Sequence, residues 1–274
     1  MSPADSDRGE RIIEPVRKAE DGTLHEAKRS LLLQQLEAQL EPGVIPDLVK
    51  FLASDQDEEV RVLAASALGR TRHADAVPHL AQVLADARED LMLRRAAAWG
   101  LHRIQDADAV THLGQVLIDK DEVYEIRWTA AEALKEMGRI DAIRYLGKAL
   151  ADQAPQIQKV AAQALLDLDH PHAAPYFRSA LKEVGNPEVR RIAAMALGRA
   201  RDMDAIPLLG RVLTEDDNRI VRQTAAKALG QIGEVGASPS LSKALKEHQD
   251  VLTRLAAADV LGIVHHTDAV QLLC

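Results

Sequence analysis

The chain holds two tryptophans, Trp99 and Trp128, and each stands one helical turn from a charged residue. Arg95 precedes Trp99 by four positions and Glu132 follows Trp128 by four. Leu91, Met92 and Tyr124 lie just upstream in the same two stretches. Aromatic, Met and Arg side chains grouped in this way have the composition of interface hot spots, so the chemistry on offer is recognition. Residues suited to bond making are poorly arranged. His79 and His112 occupy matching positions, and Tyr145 and Tyr176 continue their column. Stacked helices lie about 8–10 Å apart, too far for two imidazoles to share one ion at about 2 Å, so this column reads as a partly solvated ladder. His265-His266 falls near a turn and reads as solvated. No His-x-x-x-His or His-Glu-x-x-His motif occurs, the Ser, His and Asp residues lack a strand-turn-helix nucleophile setting, and no glycine-rich phosphate loop is present. The sequence therefore names no catalytic residue, no metal ligand and no cofactor.

What must position the recognition residues is a repeat. The phrase Val-Arg-x-x-Ala-Ala-x-Ala-Leu-Gly starts at Val60 and returns in variant form at Leu93, Ile126, Ile157, Val189, Val221 and Thr253. A second phrase, such as VPHLAQVLAD from Val77 or IPLLGRVLTE from Ile206, precedes each copy. A period of about 32 residues predicts a stacked helical solenoid of two-helix units. The fold expected is all-α, a right-handed α-α superhelix of seven two-helix repeats over residues 44–274.

Within a unit, Val77, Leu80, Val83 and Leu84 share one face of the first helix. Prolines near its start (Pro46, Pro78, Pro175, Pro207, Pro239) sit where a missing N–H costs least. Ser54-Asp55-Gln56-Asp57 breaks the chain and offers cap oxygens to the second helix, whose buried stripe is Val60, Ala64, Ala65 and Leu68. Gly69, Gly198, Gly230 and Gly262 are expected to end that helix, and Asp75, Asp141, Asp204 and Asp268 to cap the next. Residues 1–43 read as a degenerate capping repeat: Thr23 and Glu26 form a capping box, and the helix they open should run to about Leu40. At the other end AVQLLC starts a partial helix. It covers the preceding repeat, leaves a sticky edge, or marks a truncation.

Comparing the seven copies separates scaffold from surface. Arg61, Arg94, Arg127, Arg190, Arg222 and Arg254 form one column, broken by Gln158. Acidic residues just before each copy (Asp57, Asp90, Asp121, Asp217) suggest an ion pair tying the inter-helix turn to its own second helix. The variable columns are Val62, Arg95, Trp128, Lys159, Arg191, Gln223, Leu255 and, four residues on, Ser66, Trp99, Glu132, Gln163, Met195, Lys227, Asp259. They fall one turn apart, opposite the Ala stripe, and should build a concave inner surface. The expected partner-binding residues are Leu91, Met92, Arg95, Trp99, Tyr124, Trp128 and Glu132, continued by Lys159, Gln163, Arg191 and Met195. The competing reading has the indoles filling gaps between repeats where Ala leaves room.

Hydrophobic residues make up 47% of the chain and aromatics only 3%, so the core is one of Ala, Leu, Val and Ile that lets helices approach closely. A net charge of −8 works against nucleic acid as a partner. Cys274 is the only cysteine, which excludes an internal disulfide framework and a Cys-based metal site. No apolar run reaches membrane-spanning length and no signal core opens the chain, so the expected location is cytoplasmic.

The phrase D-x-x-V-R-x-x-A-A-x-A-L-G followed by A-V-P-x-L-x-x-x-L resembles the HEAT-like repeat of the phycobilisome lyase family over about residues 44–274. That resemblance implies the solenoid fold and two kinds of activity. One is a non-catalytic scaffold binding a protein or peptide. The alternative is a bilin lyase subunit or chromophore chaperone, in which Trp99, Trp128 and Tyr124 would flank the tetrapyrrole and Arg95 or Lys159 would pair with its propionates. The related deoxyhypusine hydroxylases carry several iron-binding His-Glu pairs, whereas only His25-Glu26 occurs here. The resemblance transfers no catalytic residue to this sequence.

Overall fold

The structure is a computed structural model that describes residues 42–54, 57–233 and 238–271. The proposed capping repeat over residues 1–43, with its Thr23–Glu26 box, lies outside the described residues apart from its last two. Among the described residues there are fourteen α-helices and no strand. In chain order the helix pairs are α1 (Ile45–Ser54) and α2 (Glu58–Thr71), α3 (Val77–Ala85) and α4 (Leu91–Ile104), and α5 (Ala107–Ile118) and α6 (Tyr124–Met137). They continue with α7 (Ile143–Ala149) and α8 (Pro155–Leu168), and α9 (Ala174–Glu183) and α10 (Pro187–Arg199). The last two are α11 (Ile206–Glu215) and α12 (Arg219–Ile232), and α13 (Ser238–Glu247) and α14 (Val251–Gln271). Every copy of the sequence phrase is thus a second helix.

The chain divides into two compact units, one ending at Ala142 and the other beginning at Ile143. In the first, α2, α4 and α6 pack in succession, each covered by its own first helix. In the second, α8, α10, α12 and α14 do the same. The Ala-Ala stripe is the seam of both: Ala64, Ala65, Ala97, Ala98, Ala130 and Ala131, like Ala193, Ala194, Ala225 and Ala226, are fully buried. Methyl-sized side chains there let helix axes come close enough for Leu68, Leu101 and Leu134 to lose all contact with water.

Local chemistry starts the helices as expected at Asp57, whose carboxylate accepts from the backbone N–H of Glu59 at 2.8 Å and of Val60 at 3.3 Å. Asp90, Asn186 and Asn218 cap α4, α10 and α12 in the same way. Three expectations need correction. First, Gly69, Gly198 and Gly230 do not end their helices, which run on to Thr71, Arg199 and Ile232. Their role is close approach: a Cβ on Gly69 would lie 2.4 Å from Cα of Gly100, and one on Gly198 would lie 2.7 Å from Cα of Ala228. Left-handed residues such as Arg72, Gln105, Asp169 and Gly233 turn the chain instead.

Second, Asp75, Asp141 and Asp204 lie inside short 3-10 turns (Ala74–Ala76, Ile140–Ala142, Met203–Ala205) rather than at caps. The caps are supplied two residues earlier, by His73 Nδ1 and by the Asp202 carboxylate, which accept from the N–H of Asp75 and Asp204. Third, no separate helix follows Gly262. Helix α14 runs unbroken to Gln271, because an interior glycine costs a helix only about 1 kcal/mol and does not stop it unaided.

The arginine column is more informative than its sequence suggested. Arg94 is 3% exposed, and its Nε and Nη2 donate to the carbonyl of Leu84 at 2.9 and 2.8 Å. Its Nη1 and Nη2 donate to Glu122, at the turn of the following repeat. Arg61 repeats the pattern with the Leu52 carbonyl and Glu89, and Arg222 with the Asp216 carbonyl and Asp250. Arg190 binds the carbonyls of Val184 and Gly185 and the carboxylates of Asp216 and Asp217. The ion pair therefore joins consecutive repeats, where the sequence pointed to one within a repeat. Asp57 and Asp90 are occupied as caps, and Asp217 serves the arginine of the previous unit. Burial pushes the Asp216 carboxyl up, yet hydrogen bonds from Arg190 and the Asn218 backbone hold it below the usual carboxylate value. Bonds from Arg222 and Thr253 hold Asp250 down at about 2.

Candidate functional site

In the first unit, Leu91, Met92, Arg95 and Trp99 belong to α4, and Tyr124, Trp128 and Glu132 to α6. The two helices are packed neighbours. Both indoles are half-buried, which is neither the fully exposed anchor nor the sealed core filler that the sequence set against each other. The apolar residues around them are open to water. Leu91 is 37% exposed, Met92 58% and Tyr124 40%, and Val123, which the sequence reading passed over, is 49% exposed.

Beneath Trp99 lies a residue that also went unnoticed. His102 stands in the register of Gly69 and Gly198, where a glycine lets second helices touch, and so puts an imidazole at the α4–α6 seam. Its ring meets Trp99 edge-on, with centroids 5.5 Å apart and planes at 88°. Burial pushes its pKa below the usual imidazole value, against a smaller opposing pull from the Ala133 backbone. Its Nδ1 is buried with no hydrogen-bond partner, and the edge-on ring fills the space beside the indole. The signal was present in the sequence: the glycine column reads Gly69, His102, Lys135, Leu166, Gly198.

Charge is distributed unevenly over the face. Glu132 takes its cation from its own helix, with Lys135 Nζ at 3.2 Å, and Glu136 lies 3.9 Å from the same nitrogen. Arg95 meets the Met92 sulfur at 3.9 Å and makes no ion pair among the described residues.

The second unit carries the other expected residues, on α8 and α10. Lys159 is exposed, while Gln163 and Met195 are half-buried. Gln163 donates to Asp167 at 2.7 Å. Arg191 holds Glu188 through two bonds of 2.9 and 2.7 Å, which keeps the Glu188 carboxyl below its usual range. In this unit too a bulky residue replaces the seam glycine. Leu166 lines a cavity of about 350 Å³ between α8, α9 and α10, together with Leu165, Phe177, Leu197, Asp169 and Arg199.

The first-helix column behaves differently in the two units. His79 and His112 are half-buried, as a partly solvated ladder requires. Tyr145 is buried under the Arg144 guanidinium, 4.5 Å from its ring centroid, and the Tyr176 ring occupies the space a Cβ on Gly147 would need. Among the described residues no three His, Cys, Asp or Glu side chains converge as metal ligands, and no helix is long and apolar enough to cross a membrane.

The sequence profile described as HEAT repeats matches residues 24–93, 45–134, 88–166, 113–185 and 174–262. The first match begins inside the segment read as a degenerate cap. No curated protein matches the chain. Among solved structures, YibA of Escherichia coli aligns at 18% identity over 96% of this chain and 97% of that one, with a TM-score of 0.50. The HEAT-like repeats protein of the archaeon Thermococcus onnurineus aligns at 15% identity over 81% and 97%, with a TM-score of 0.49. A chain of the CpcE–CpcF complex of phycocyanin lyase from Nostoc aligns at 20% over 93% and 94%, with a TM-score of 0.44. The likeness to YibA is one of fold alone, and the repeat type is not narrowed to the lyase branch named from the sequence.

Proposed function

Because the chain belongs to the HEAT repeat family, with matches from residue 24 to residue 262, we propose that it is a non-catalytic scaffold or adaptor. Its second helices bind a protein or peptide on the face that carries Trp99 and Trp128. One observation carries this reading. At the entry to the second helix, repeat one places Glu58 and Glu59 and repeat five Pro187 and Glu188, so the fold does not require apolar side chains there. Repeats six and seven expose Ile220, Val251 and Leu252 there, but only repeats two and three set their exposed Leu91, Met92, Val123 and Tyr124 beside two half-buried indoles. Grouped exposed apolar surface of this kind marks interaction sites, and stacked repeats present such surfaces without needing a pocket. Lys159, Gln163, Arg191 and Met195 extend the proposal to the second unit, as a separate surface.

The test uses the fact that the chain has no other tryptophan. Random peptides displayed on phage are panned against the wild-type chain, and selected peptides are then titrated while intrinsic fluorescence is recorded. Binding should shift the emission, and Trp99→Ala or Trp128→Ala should weaken it by about 2 kcal/mol, the scale of an aromatic anchor. Thermal unfolding supplies the control. Half-buried indoles should cost about 1–2 kcal/mol on truncation, against about 3–5 for sealed core residues. Core-sized losses, or peptides that bind both variants as well as wild type, would reject the proposal.

A further inference from the structure

Two arginines in the same column are treated differently by this chain. In repeat five, Arg191 is preceded three residues earlier by Glu188 and closes a two-bond ion pair with it. In repeat two the corresponding residue is Met92, so Arg95 has only a thioether sulfur at 3.9 Å and no carboxylate among the described residues. A sulfur is a weak acceptor and leaves the guanidinium's charge and most of its five donors unused. Helical spacing extends the pattern, since Arg95, Trp99 and Arg103 follow at i, i+4 and i+8 along one stripe of α4. Arg103 is exposed and makes no ion pair among the described residues. The neighbouring stripe on α6 does not supply the missing anions, because Glu132 and Glu136 gather round Lys135.

We propose that the segment bound by the α4–α6 face is an acidic peptide, in which two carboxylates bracket an apolar residue. The carboxylates pair with Arg95 and Arg103 and the apolar residue lies on Trp99. This rests on the reading of that face as an interaction surface and specifies what it takes. At 1.5 Å per residue the two cations stand about 12 Å apart along the helix. An extended strand advances about 3.3 Å per residue, so acids four positions apart with an apolar residue midway span the same distance. A guanidinium takes a carboxylate through two parallel bonds, and a desolvating indole beside it strengthens the pair. Arg191, already saturated by Glu188, plays no such part.

The peptide pool selected by panning decides the matter. Peptides whose binding depends on Trp99 should be enriched in Asp or Glu at positions i and i+4, with Leu, Phe or Met between. Arg95→Glu should weaken them by about tenfold or more, as loss of a charge pair at an interface does. Arg103→Glu, a change at an exposed position, should act in the same direction, while Arg211→Glu, at an exposed position on α11 of the other unit, leaves binding unchanged. Raising salt should weaken the wild-type complex. Trp-dependent peptides of neutral or basic composition, or acidic ones indifferent to both Arg95→Glu and Arg103→Glu, would overturn the inference and leave the interaction surface standing. A pool with no Trp dependence at all would bring down the surface and the inference together.

Discussion

Arg94→Met is the sharpest perturbation of this architecture. The guanidinium is 3% exposed and satisfies two buried partners at once, the Leu84 carbonyl at 2.9 and 2.8 Å and the Glu122 carboxylate. The Glu122 side chain is only 10% exposed. Methionine restores most of the volume, so the cost is electrostatic. A carbonyl loses its donors and a carboxylate is left without its cation, a change that costs about 3–5 kcal/mol when the pair is buried. Urea unfolding followed by tryptophan fluorescence reads this directly, because Trp99 lies on the helix of Arg94 and Trp128 on the helix that follows the Glu122 turn. Arg94→Met/Glu122→Gln should recover a large part of the loss by removing the stranded charge. As a control, Arg191→Met breaks an ion pair whose side chains are 31% and 40% exposed, and should cost less than about 1 kcal/mol. A loss below about 1 kcal/mol for Arg94→Met, or additive losses in the double variant, would refute the claim that this pair locks consecutive repeats.

Gly69→Ala should destabilise by about 1–3 kcal/mol through overpacking, although alanine is the better helix former; a stabilised variant in thermal melts would show that α2 and α4 can move apart freely. The fourth repeat should be the first part of the second unit to open. Its arginine is replaced by Gln158, which reaches the Asp152 carbonyl at 2.6 Å but leaves its own Oε1 buried and unpaired. Hydrogen exchange over residues 155–172 should therefore outpace residues 187–204, and equal rates would count against the defect. Asp250 supplies a pH signature. Its folded pKa of about 2 lies below its ordinary 3.8, so its contribution is present above pH 4 and is lost as pH falls towards 2. Carboxylate titration by NMR should show that depressed midpoint, and Arg222→Met should raise it part of the way towards the ordinary value, since Thr253 and the Leu252 N–H still hold the carboxylate.

The helix pairs were legible in the sequence because each repeat states its own pattern locally: a Pro at the first helix, a cap residue, then Ala-Ala at a fixed distance. Four features were not. The partner of Arg61 or Arg94 lies 28 residues downstream, in a turn whose acids look, from sequence, as if they belong to the next helix. Glycine at Gly69 satisfies two explanations equally, helix ending and close approach, and only the position of Gly100 chooses between them. Register placed Trp99 and Trp128 on the correct side of their helices, but the depth of an indole depends on the neighbouring ring of His102, which no single-repeat reading weighs. The saturation of Arg191 against the vacancy at Arg95 turns on one residue three positions earlier, Glu188 or Met92, outside the columns first compared.

The inter-repeat arginine gives the stack a grammar. Each unit offers a cation forward and a carboxylate backward, so a unit can be cut out or inserted only where this agreement survives. Excising one full period between Arg61 and Glu122 would set Arg61 against Glu122 in place of Glu89, and the splice should close. Excising the period that carries Arg190 would instead set Gln158, which offers no cation, against Asp216 and Asp217, the carboxylates that Arg190 holds, and would strand them. Lengthening and shortening of this chain should therefore be tolerated at some joints and rejected at others, and the arginine–acid agreement marks which.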